Sequence, residues 1–239
     1  MINLLLNLLF PQKCPTCQNR SDTHLHSPFC STCWSSILPY TGAACKRCGL
    51  PLSSSLAKTC SECTSNPPGY ISLRSFGIHE GTLRTAIHYF KYKRQRRLAP
   101  PLGKLLLKMD LPKTDFVVPV PLHPAKLYQR QFNQAALLAG EIAKNTGMAL
   151  ELHGLIKTRN TPPQVGLRRS ERVKNELNAF GVTANHIFNN MRILIVDDVC
   201  TTGTTIRACS RVLMEAGAES VYAVTLARST PDVWQFKKI

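Results

Sequence analysis

The hydrophobic pattern near the C-terminus predicts a buried strand joined by a tight loop to a helix. A continuous apolar run at 193–196 leads directly into two acids, Asp197 and Asp198. An apolar run without polar alternation is typical of a strand that is covered on both faces. Apolar residues then recur at helical spacing, at Ile206, Cys209, Leu213 and Ala216. Gly217 follows at a position where glycine commonly ends a helix, so the helix is expected to stop there.

The rest of the pattern predicts further strands and helices in alternation. The predicted order is a strand at 71–78, a helix at 81–97, a strand at 116–121, a basic loop at 122–131, a helix at 132–144 and a strand at 220–227. The prolines within 116–121 place that strand at the end or the edge of a sheet. Repeated strand–loop–helix units predict an α/β fold, a mainly parallel sheet flanked by helices.

Four Cys-x-x-Cys pairs lie between residues 14 and 63, separated by twelve, eleven and eleven residues. One such pair presents two thiolates on a tight turn, and two pairs complete a tetrahedral zinc site. Eight ligands form two full sites, which indicates structural zinc. Sequential pairing closes shorter loops and is favoured over interleaved pairing. The sequential sites are Cys14, Cys17, Cys30 and Cys33, and then Cys45, Cys48, Cys60 and Cys63.

A domain boundary is predicted at 66–69, where the sequence Asn-Pro-Pro-Gly breaks regular structure. It divides the chain into a double zinc ribbon over 1–68 and an α/β domain over 69–239.

The chain carries a large excess of positive charge. There are 30 Lys and Arg against 14 Asp and Glu, for a net charge of +16 over 239 residues. This balance favours anionic partners, namely nucleic acid, phosphorylated substrates or an anionic membrane surface. One basic segment also carries aromatic rings, which suits a phosphate backbone with stacked bases, although a solvated helix end is the alternative. Its candidate DNA-binding residues are Lys91, Tyr92, Lys93, Arg94, Arg96 and Arg97.

The first ten residues are apolar, but they lack a basic leading segment and a small-residue cleavage site. A bilayer span needs about 20 apolar residues, so this segment is too short. We therefore expect a cytoplasmic protein whose clustered cysteines bind metal instead of forming disulfides. The apolar start is either a helix docked on the core or a peripheral contact with the inner membrane.

The loop between the predicted strand and helix has the composition of a phosphate site. Backbone N–H groups and the dipole at a helix N-terminus favour an anion. Glycine allows close backbone approach, and threonine hydroxyls add hydrogen bonds. The two acids suit sugar hydroxyls and a divalent cation such as Mg²⁺. A sugar-phosphate site is therefore predicted at Asp197, Asp198, Val199, Thr201, Thr202, Gly203, Thr204 and Thr205.

Residues 193–205 resemble the 13-residue phosphoribosyl-diphosphate (PRPP) motif of type I phosphoribosyltransferases. The absence of a Gly-Lys-Ser/Thr sequence distinguishes the loop from a P-loop. The resemblance implies that the loop after an early strand holds the diphosphate, with Lys126 and Arg130 as candidate ligands. A second basic segment is a candidate for the flap over PRPP, through Arg168 and Arg172, or for a DNA contact.

Nearly the whole chain resembles the ComF family (ComFC/GntX-like proteins of bacteria). Four parts in order carry the resemblance: the paired ribbons, a Pro-x-Pro-Leu strand end followed by 130–134, the segment 159–180, and the PRPP motif. Gln131 stands where the family typically has glycine. The resemblance implies a type I phosphoribosyltransferase-like domain behind an N-terminal zinc-ribbon module. It also implies a role in natural transformation, handling incoming single-stranded DNA alongside uptake or helicase proteins.

Three functions are consistent with these residues. In the first, the protein handles single-stranded DNA and keeps the PRPP pocket as a ligand-sensing or vestigial site. In the second, it is an active phosphoribosyltransferase that uses PRPP and Mg²⁺, with Asp197 and Asp198 as catalytic candidates and an unidentified acceptor. In the third, it is an adaptor that docks uptake or helicase proteins through the ribbons.

Overall fold

The computed structural model describes residues 12–159, 178–183 and 188–230. The strands within these ranges are β1 (Ser72–Ile78), β2 (Phe116–Pro119), β3 (Ala149–Leu150), β4 (Leu155–Lys157), β5 (Phe180–Val182), β6 (Arg192–Cys200) and β7 (Ser220–Arg228). Five of them form a parallel sheet in the order β1, β7, β6, β2 and β3, and β4 pairs with β5 antiparallel. The predicted α/β fold with a mainly parallel sheet is confirmed.

Short helices accompany the ribbons, and longer ones flank the sheet. The described helices are α1 (Ser31–Ser35), α2 (Ser61–Ser65), α3 (Gly81–Tyr92), α4 (Ala99–Leu107), α5 (Pro124–Arg130), α6 (Gln134–Thr146) and α7 (Thr204–Glu215), with a 3₁₀ turn at Arg96–Leu98. Helix α7 begins directly after Gly203, whose φ is 82°, and Gly217 follows its end with a φ of 89°. The predicted strand, loop and helix near the C-terminus are therefore all present.

Alternating side chains of the central strand β6 fill two separate cores. Leu194 and Val196 pack on one face with α3, α4 and α6, whereas Ile193 and Ile195 pack on the other with α7 and the β4–β5 pair. All four are fully buried, and burial of such a side chain contributes about 1.5–3 kcal/mol. A strand covered on both faces carries its polar side chains at its ends. The acids of β6 therefore stand at its carboxyl end.

The eight N-terminal cysteines form two clusters with sequential pairing. Within each cluster, the four Sγ atoms lie within 4.8 Å of one another. The Sγ atoms of Cys17 and Cys30, and those of Cys48 and Cys60, are 3.7 Å apart. A tetrahedron with Zn–S bonds of about 2.3 Å has edges of roughly 3.8 Å. The geometry fits two structural zinc ions, and the interleaved alternative is wrong.

Each zinc ribbon covers one face of the sheet. Cysteines of the first ribbon belong to the core that α3 lines, and those of the second belong to the core that α7 lines. The ring centroids of Phe29 and Tyr89 are 5.8 Å apart, which joins the first ribbon to α3. The backbone N–H of Leu73 in β1 donates to the carbonyl of Arg47 in the second ribbon, at 2.7 Å. The ribbons thus share their cores with the sheet, and the division at residue 68 stays a prediction.

The two ribbons repeat one turn geometry with different residues. The turn after each first Cys-x-x-Cys pair contains a residue with positive φ, 63° at Gln18 and 66° at Gly49. A β-carbon at position 49 would lie 2.7 Å from the carbonyl oxygen of Leu73. Glycine is required in the second ribbon because that turn presses against β1.

Two local predictions are wrong, and a third is right only in part. Helix α3 ends at Tyr92, and the chain turns at Arg94, with a φ of 54°, instead of continuing to residue 97. The segment 122–131 is not a loop throughout, because Pro124 begins helix α5. Strand β2 is not an edge strand, since it lies between β6 and β3, but Pro119 does end it.

Within the described ranges, no helix has both the length and the apolar character needed to cross a membrane. The apolar segment 1–10, with the predicted membrane contact, lies outside the described residues.

Candidate functional site

Two carboxylates stand side by side where β6 ends. Asp198 is buried and Asp197 is half-buried. The backbone N–H of Asp198 donates to Asp197 Oδ1 at 2.8 Å, which orients the first carboxylate. Strand β7 pairs with β6 in parallel, and β1 pairs with β7. Both acids therefore lie at the carboxyl edge of the sheet, where ligands bind in open α/β folds.

The loop after β6 is a helix start that suits a phosphate. The Oγ1 atoms of Thr202 and Thr204 are 2.8 Å apart, and Thr202 Oγ1 lies 3.4 Å from the Thr204 backbone nitrogen. Gly203 is buried in a left-handed conformation that favours glycine. The first N–H groups of α7 have no partner within the helix. Thr201 and Thr202 are exposed, so a phosphate has access to this loop. Val199 and Thr205 flank it at the strand end and in the first helical turn.

The second carboxylate is paired with a lysine from another element. Lys91 Nζ lies 2.7 Å from Asp198 Oδ1, and these side chains are only 17% and 7% exposed. Lys91 is in the last turn of α3, directly before the exposed basic segment. The sequence predicts a DNA-binding role for Lys91, but the structure places its ammonium at the carboxylates.

The charges at this edge of the sheet are incompletely balanced. Burial and the neighbouring Asp198 carboxylate raise the pKa of Asp197 to about 7, and Lys91 opposes that rise only in part. Burial and the positive charge of Lys91 also lower the pKa of His79, at the end of β1. A half-buried acid with a raised pKa marks a site that gains from hydroxyl donors or a cation.

The second zinc ribbon is connected to the phosphate loop by Arg207. Its guanidinium donates to the Asn66 carbonyl at 2.9 Å and lies 3.8 Å from Cys63 Sγ. The Arg207 backbone N–H donates to the Gly203 carbonyl at 2.9 Å. Four thiolates around Zn²⁺ carry a net charge of about −2, so the guanidinium stabilises the site that it contacts. Sequence reasoning missed this residue, because its contacts join segments far apart in the chain.

A buried arginine lies behind the same loop. Arg228 at the end of β7 is 4% exposed, and its Nη1 donates to Cys200 Sγ. A β-carbon on Gly203 would lie 3.6 Å from Cys200 Sγ and 3.8 Å from Arg228 Nη1. The floor of the loop is therefore closely packed, which fixes the start of α7 against β6 and β7.

The basic segment at 91–97 contacts helix α5 and the residues that follow it, although the two are separate in sequence. The Arg130 guanidinium lies over the Tyr92 ring at 5.3 Å from its centroid, and that of Arg96 lies over the Phe132 ring at 5.4 Å. Tyr92 and Tyr128 are 58% and 90% exposed. We use the name basic face for the cations and tyrosines of these two segments, namely Tyr92, Lys93, Arg94, Arg96, Arg97, Lys126, Tyr128 and Arg130. The candidate diphosphate ligand Arg130 thus contacts the candidate DNA ligand Tyr92.

Contacts explain the motif at 130–134. Gln131 ends α5 in a left-handed conformation, with a φ of 67°, so the residue that replaces the family's glycine keeps a backbone that suits glycine. Asn133 caps α6 and donates to the carbonyl that follows β2, at 3.0 Å. The side chain of Gln134 accepts a hydrogen bond from Arg130 at 3.2 Å. The motif thereby connects the basic face to the carboxyl end of the sheet.

The flap candidates Arg168 and Arg172 lie outside the described residues. Lys126 is half-buried one turn before Arg130 on α5. Their roles toward a diphosphate stay predictions.

Two parts of the chain match known protein families. A double zinc ribbon domain matches residues 5–64, and a phosphoribosyl transferase domain matches residues 133–234. DNA utilization protein YhgH of Salmonella typhi is 30% identical over 212 residues, which cover 85% of this chain and 92% of that protein. The chain belongs to the ComF family. Competence protein F of Haemophilus influenzae is 29% identical over 235 residues, 92% of this ComF-family chain and 98% of that protein.

A glutamine PRPP amidotransferase from B. subtilis complexed with ADP and GMP is among the solved structures that match part of the chain. It is 26% identical with a TM-score of 0.38, and the match covers 53% of the ComF-family chain but only 25% of the amidotransferase. Residues 133–234 of this chain, which match the phosphoribosyl transferase domain family, contain Asp197, Asp198 and the whole threonine loop.

Proposed function

We propose that this ComF-family protein binds single-stranded DNA on the basic face and a 5-phosphorylated pentose, PRPP or a related sugar phosphate, at the loop after β6. We further propose that it acts in DNA uptake at the cytoplasmic side of the inner membrane, with uptake or helicase proteins as partners. Similarity to a competence protein and to a DNA utilization protein supports this role, as does the net charge of +16.

The stacking of Arg130 on Tyr92 is the observation that carries the proposal. This contact joins Tyr92, the last residue of α3, to helix α5. More than half of the Tyr92 side chain stays exposed. Cations that track a backbone and rings that stack on bases are the two parts of a single-strand site. Each stacked base contributes about 1–3 kcal/mol.

The carboxylates and the threonine loop support the sugar-phosphate half of the proposal. Asp197 and Asp198 present oxygen ligands of the kind that Mg²⁺ prefers, so the donor set fits a cation carried in by a diphosphate. Bound Mg²⁺ supplies positive charge that offsets the diphosphate. The protein itself holds the 5-phosphate at the start of α7, and its two carboxylates accept hydrogen bonds from the sugar hydroxyls.

Fluorescence anisotropy with a labelled oligothymidylate across a range of salt concentrations tests the DNA half. We expect log affinity to fall linearly with log salt, with a slope of about −0.7 for each phosphate contact. Arg94→Ala should weaken binding about threefold to tenfold and make the slope shallower by about 0.7. Lys113→Ala is the matched control, because Lys113 is exposed at the amino end of the sheet. Equal losses in both variants, or binding that ignores salt, would contradict the proposal.

An active phosphoribosyltransferase is the second candidate, and the raised pKa of Asp197 favours it. A carboxyl whose pKa is about 7 is suited to exchange a proton near neutral pH. Diphosphate release from PRPP with Mg²⁺, lost in the Asp197→Asn, Asp198→Asn double variant, would support turnover. A protein that acts only as an adaptor through its ribbons predicts neither DNA binding nor diphosphate release.

A further inference from the structure

Lys91 is a ligand of the carboxylate pocket and stands next to the basic face in the chain. The buried residues Ile87 and Phe90 hold α3 against the core and fix the position of its last turn. From that turn, the Lys91 ammonium contacts Asp198 Oδ1 at 2.7 Å. The next residues, Tyr92 and Lys93, are exposed on the basic face. One peptide bond therefore separates a ligand of the carboxylate pocket from the surface proposed to bind DNA.

The pocket contact competes with any ligand that binds the same carboxylate oxygen. Lys91 Nζ forms an ion pair with Asp198 Oδ1, and the backbone N–H of Asp198 donates a hydrogen bond to Asp197 Oδ1. Sugar hydroxyls and a divalent cation both need carboxylate oxygens. A ligand that binds Asp198 Oδ1 through these groups displaces the Lys91 ammonium from that oxygen. The released ammonium is then on the residue next to Tyr92, at the start of the segment that carries Lys93, Arg94, Arg96 and Arg97.

We propose that Lys91 couples the two sites, so that a sugar phosphate bound at the carboxylates releases the Lys91 ammonium to the basic face and strengthens single-stranded DNA binding. This inference rests on the proposed function, since it requires both ligands. Coupling of this kind is reciprocal, so bound DNA strengthens sugar-phosphate binding by the same factor.

The size of the effect follows from one additional cation on the basic face. One further phosphate contact makes the salt slope steeper by about 0.7 for a single strand. At about 0.1 M salt, that slope corresponds to roughly fivefold higher affinity. Both the steeper slope and the higher affinity are measurable in one titration series.

The test uses the full-length, zinc-loaded protein and a labelled oligothymidylate. Affinity is measured by anisotropy across salt concentrations, alone and with saturating PRPP plus MgCl₂, ribose 5-phosphate, or MgCl₂. Wild-type protein should gain about fivefold in DNA affinity with PRPP plus MgCl₂. The MgCl₂ arm corrects for screening of the DNA by the cation, and ribose 5-phosphate shows whether the sugar and its phosphate suffice.

Two variants separate the coupling from DNA binding itself. Lys91→Met should bind DNA with an affinity that sugar phosphate does not change, because no ammonium is left to release. Lys93→Met is the matched control, two residues away and exposed; it should bind DNA more weakly in every arm but keep the fivefold gain. Zinc content and thermal unfolding of each variant show whether it is folded, and Lys91→Arg, which keeps the charge, should retain the gain.

The outcomes distinguish the inference from the function beneath it. If calorimetry detects PRPP and anisotropy detects DNA, but neither ligand alters the other's affinity, the inference is overturned and the proposed function stands. A gain that survives in Lys91→Met, or a sugar phosphate that weakens DNA binding, also overturns the inference. If the wild type binds no DNA at any salt concentration, the inference and the DNA half of the proposed function both fail.

Discussion

Asp197 is proposed to bind the ligand, and the charge on its carboxylate lowers the stability of the fold. Its pKa rises from 3.8 to about 7 because burial and Asp198 oppose ionisation. The unfolded chain ionises near the ordinary pKa, so folding loses stability as the pH rises from about 4 through 7. The whole penalty is present at pH 8, where the carboxyl is charged in both states.

We therefore expect Asp197→Asn to stabilise the protein. Asparagine keeps an oxygen for the Asp198 N–H and removes the charge. The free energy of unfolding at pH 8 should rise by about 1–2 kcal/mol, and the gain should shrink toward pH 5.5. Chemical denaturation at both pH values measures the change, and calorimetry with PRPP should show that ligand binding is lost.

Asp115 is a control, because its pKa is shifted in the opposite direction to that of Asp197. Side-chain and backbone hydrogen bonds from Arg192 lower the pKa of Asp115 to about 2. That stabilisation is fully present above pH 4 and is lost only as the pH falls toward 2. Asp115→Asn should therefore destabilise the protein equally at pH 5.5 and pH 8. If Asp197→Asn behaved in the same way, the carboxyl would be well paired and our account of its strain would be wrong.

At the scale of elements, sequence patterns predict what lies within one element and miss contacts between elements. The strand, loop and helix around Gly203 are predicted because hydrophobic period, turn glycine and helix end occur in one continuous stretch. Helix α5 is missed because it buries no residue and so has no apolar stripe, and the proline at its start was the available signal. The Lys91–Asp198 and Arg207–Cys63 contacts join distant segments, and no periodicity relates their positions.

Helix α7 allows a direct test of how the second ribbon supports the phosphate loop. Arg207→Met removes the side-chain contacts with Asn66 and Cys63 while keeping an unbranched apolar stem. We expect PRPP binding to weaken about fivefold, which corresponds to the loss of one hydrogen bond at about 1 kcal/mol. Zinc should also pass faster to a chromogenic chelator, because the thiolate loses a charged neighbour.

Arg211 on the same helix provides the control for this variant. Its guanidinium pairs with Glu215 at 3.6 Å and donates to Asn178 at 3.2 Å, and neither of these partners belongs to the ribbon. Exposed helix pairs of this kind contribute about 0.3–0.5 kcal/mol. Arg211→Met should leave PRPP affinity and zinc release near wild-type values. Equal effects in Arg207→Met and Arg211→Met would show that helix stability, and not the ribbon contact, supports the loop.

At the scale of the whole molecule, the two zinc ribbons pack on opposite faces of the sheet, and each contacts a different helix. The first ribbon packs with α3, the helix that leads into the basic face, through Phe29 and Tyr89. It also contacts the basic segment directly, since Arg97 donates to Gln12 at 2.9 Å. The second ribbon packs with α7 and contacts the phosphate loop through Arg207. The ribbons repeat one design in sequence, but they support opposite faces of one sheet.

We expect damage to the ribbons to have different effects for this reason. Cys17→Ser in the first ribbon should weaken oligothymidylate binding more than PRPP binding, and Cys63→Ser in the second should weaken PRPP binding more than DNA binding. Each substitution removes one of four zinc ligands, so both should release one zinc ion per chain to a chelator. Anisotropy and calorimetry on the same preparations measure the two affinities.

Because each ribbon shares a core with the sheet, complete removal of zinc should lower the unfolding temperature of the whole chain in a single transition. Equal loss of both ligands in both cysteine variants would mean that the ribbons stabilise the fold as one unit and do not serve separate sites.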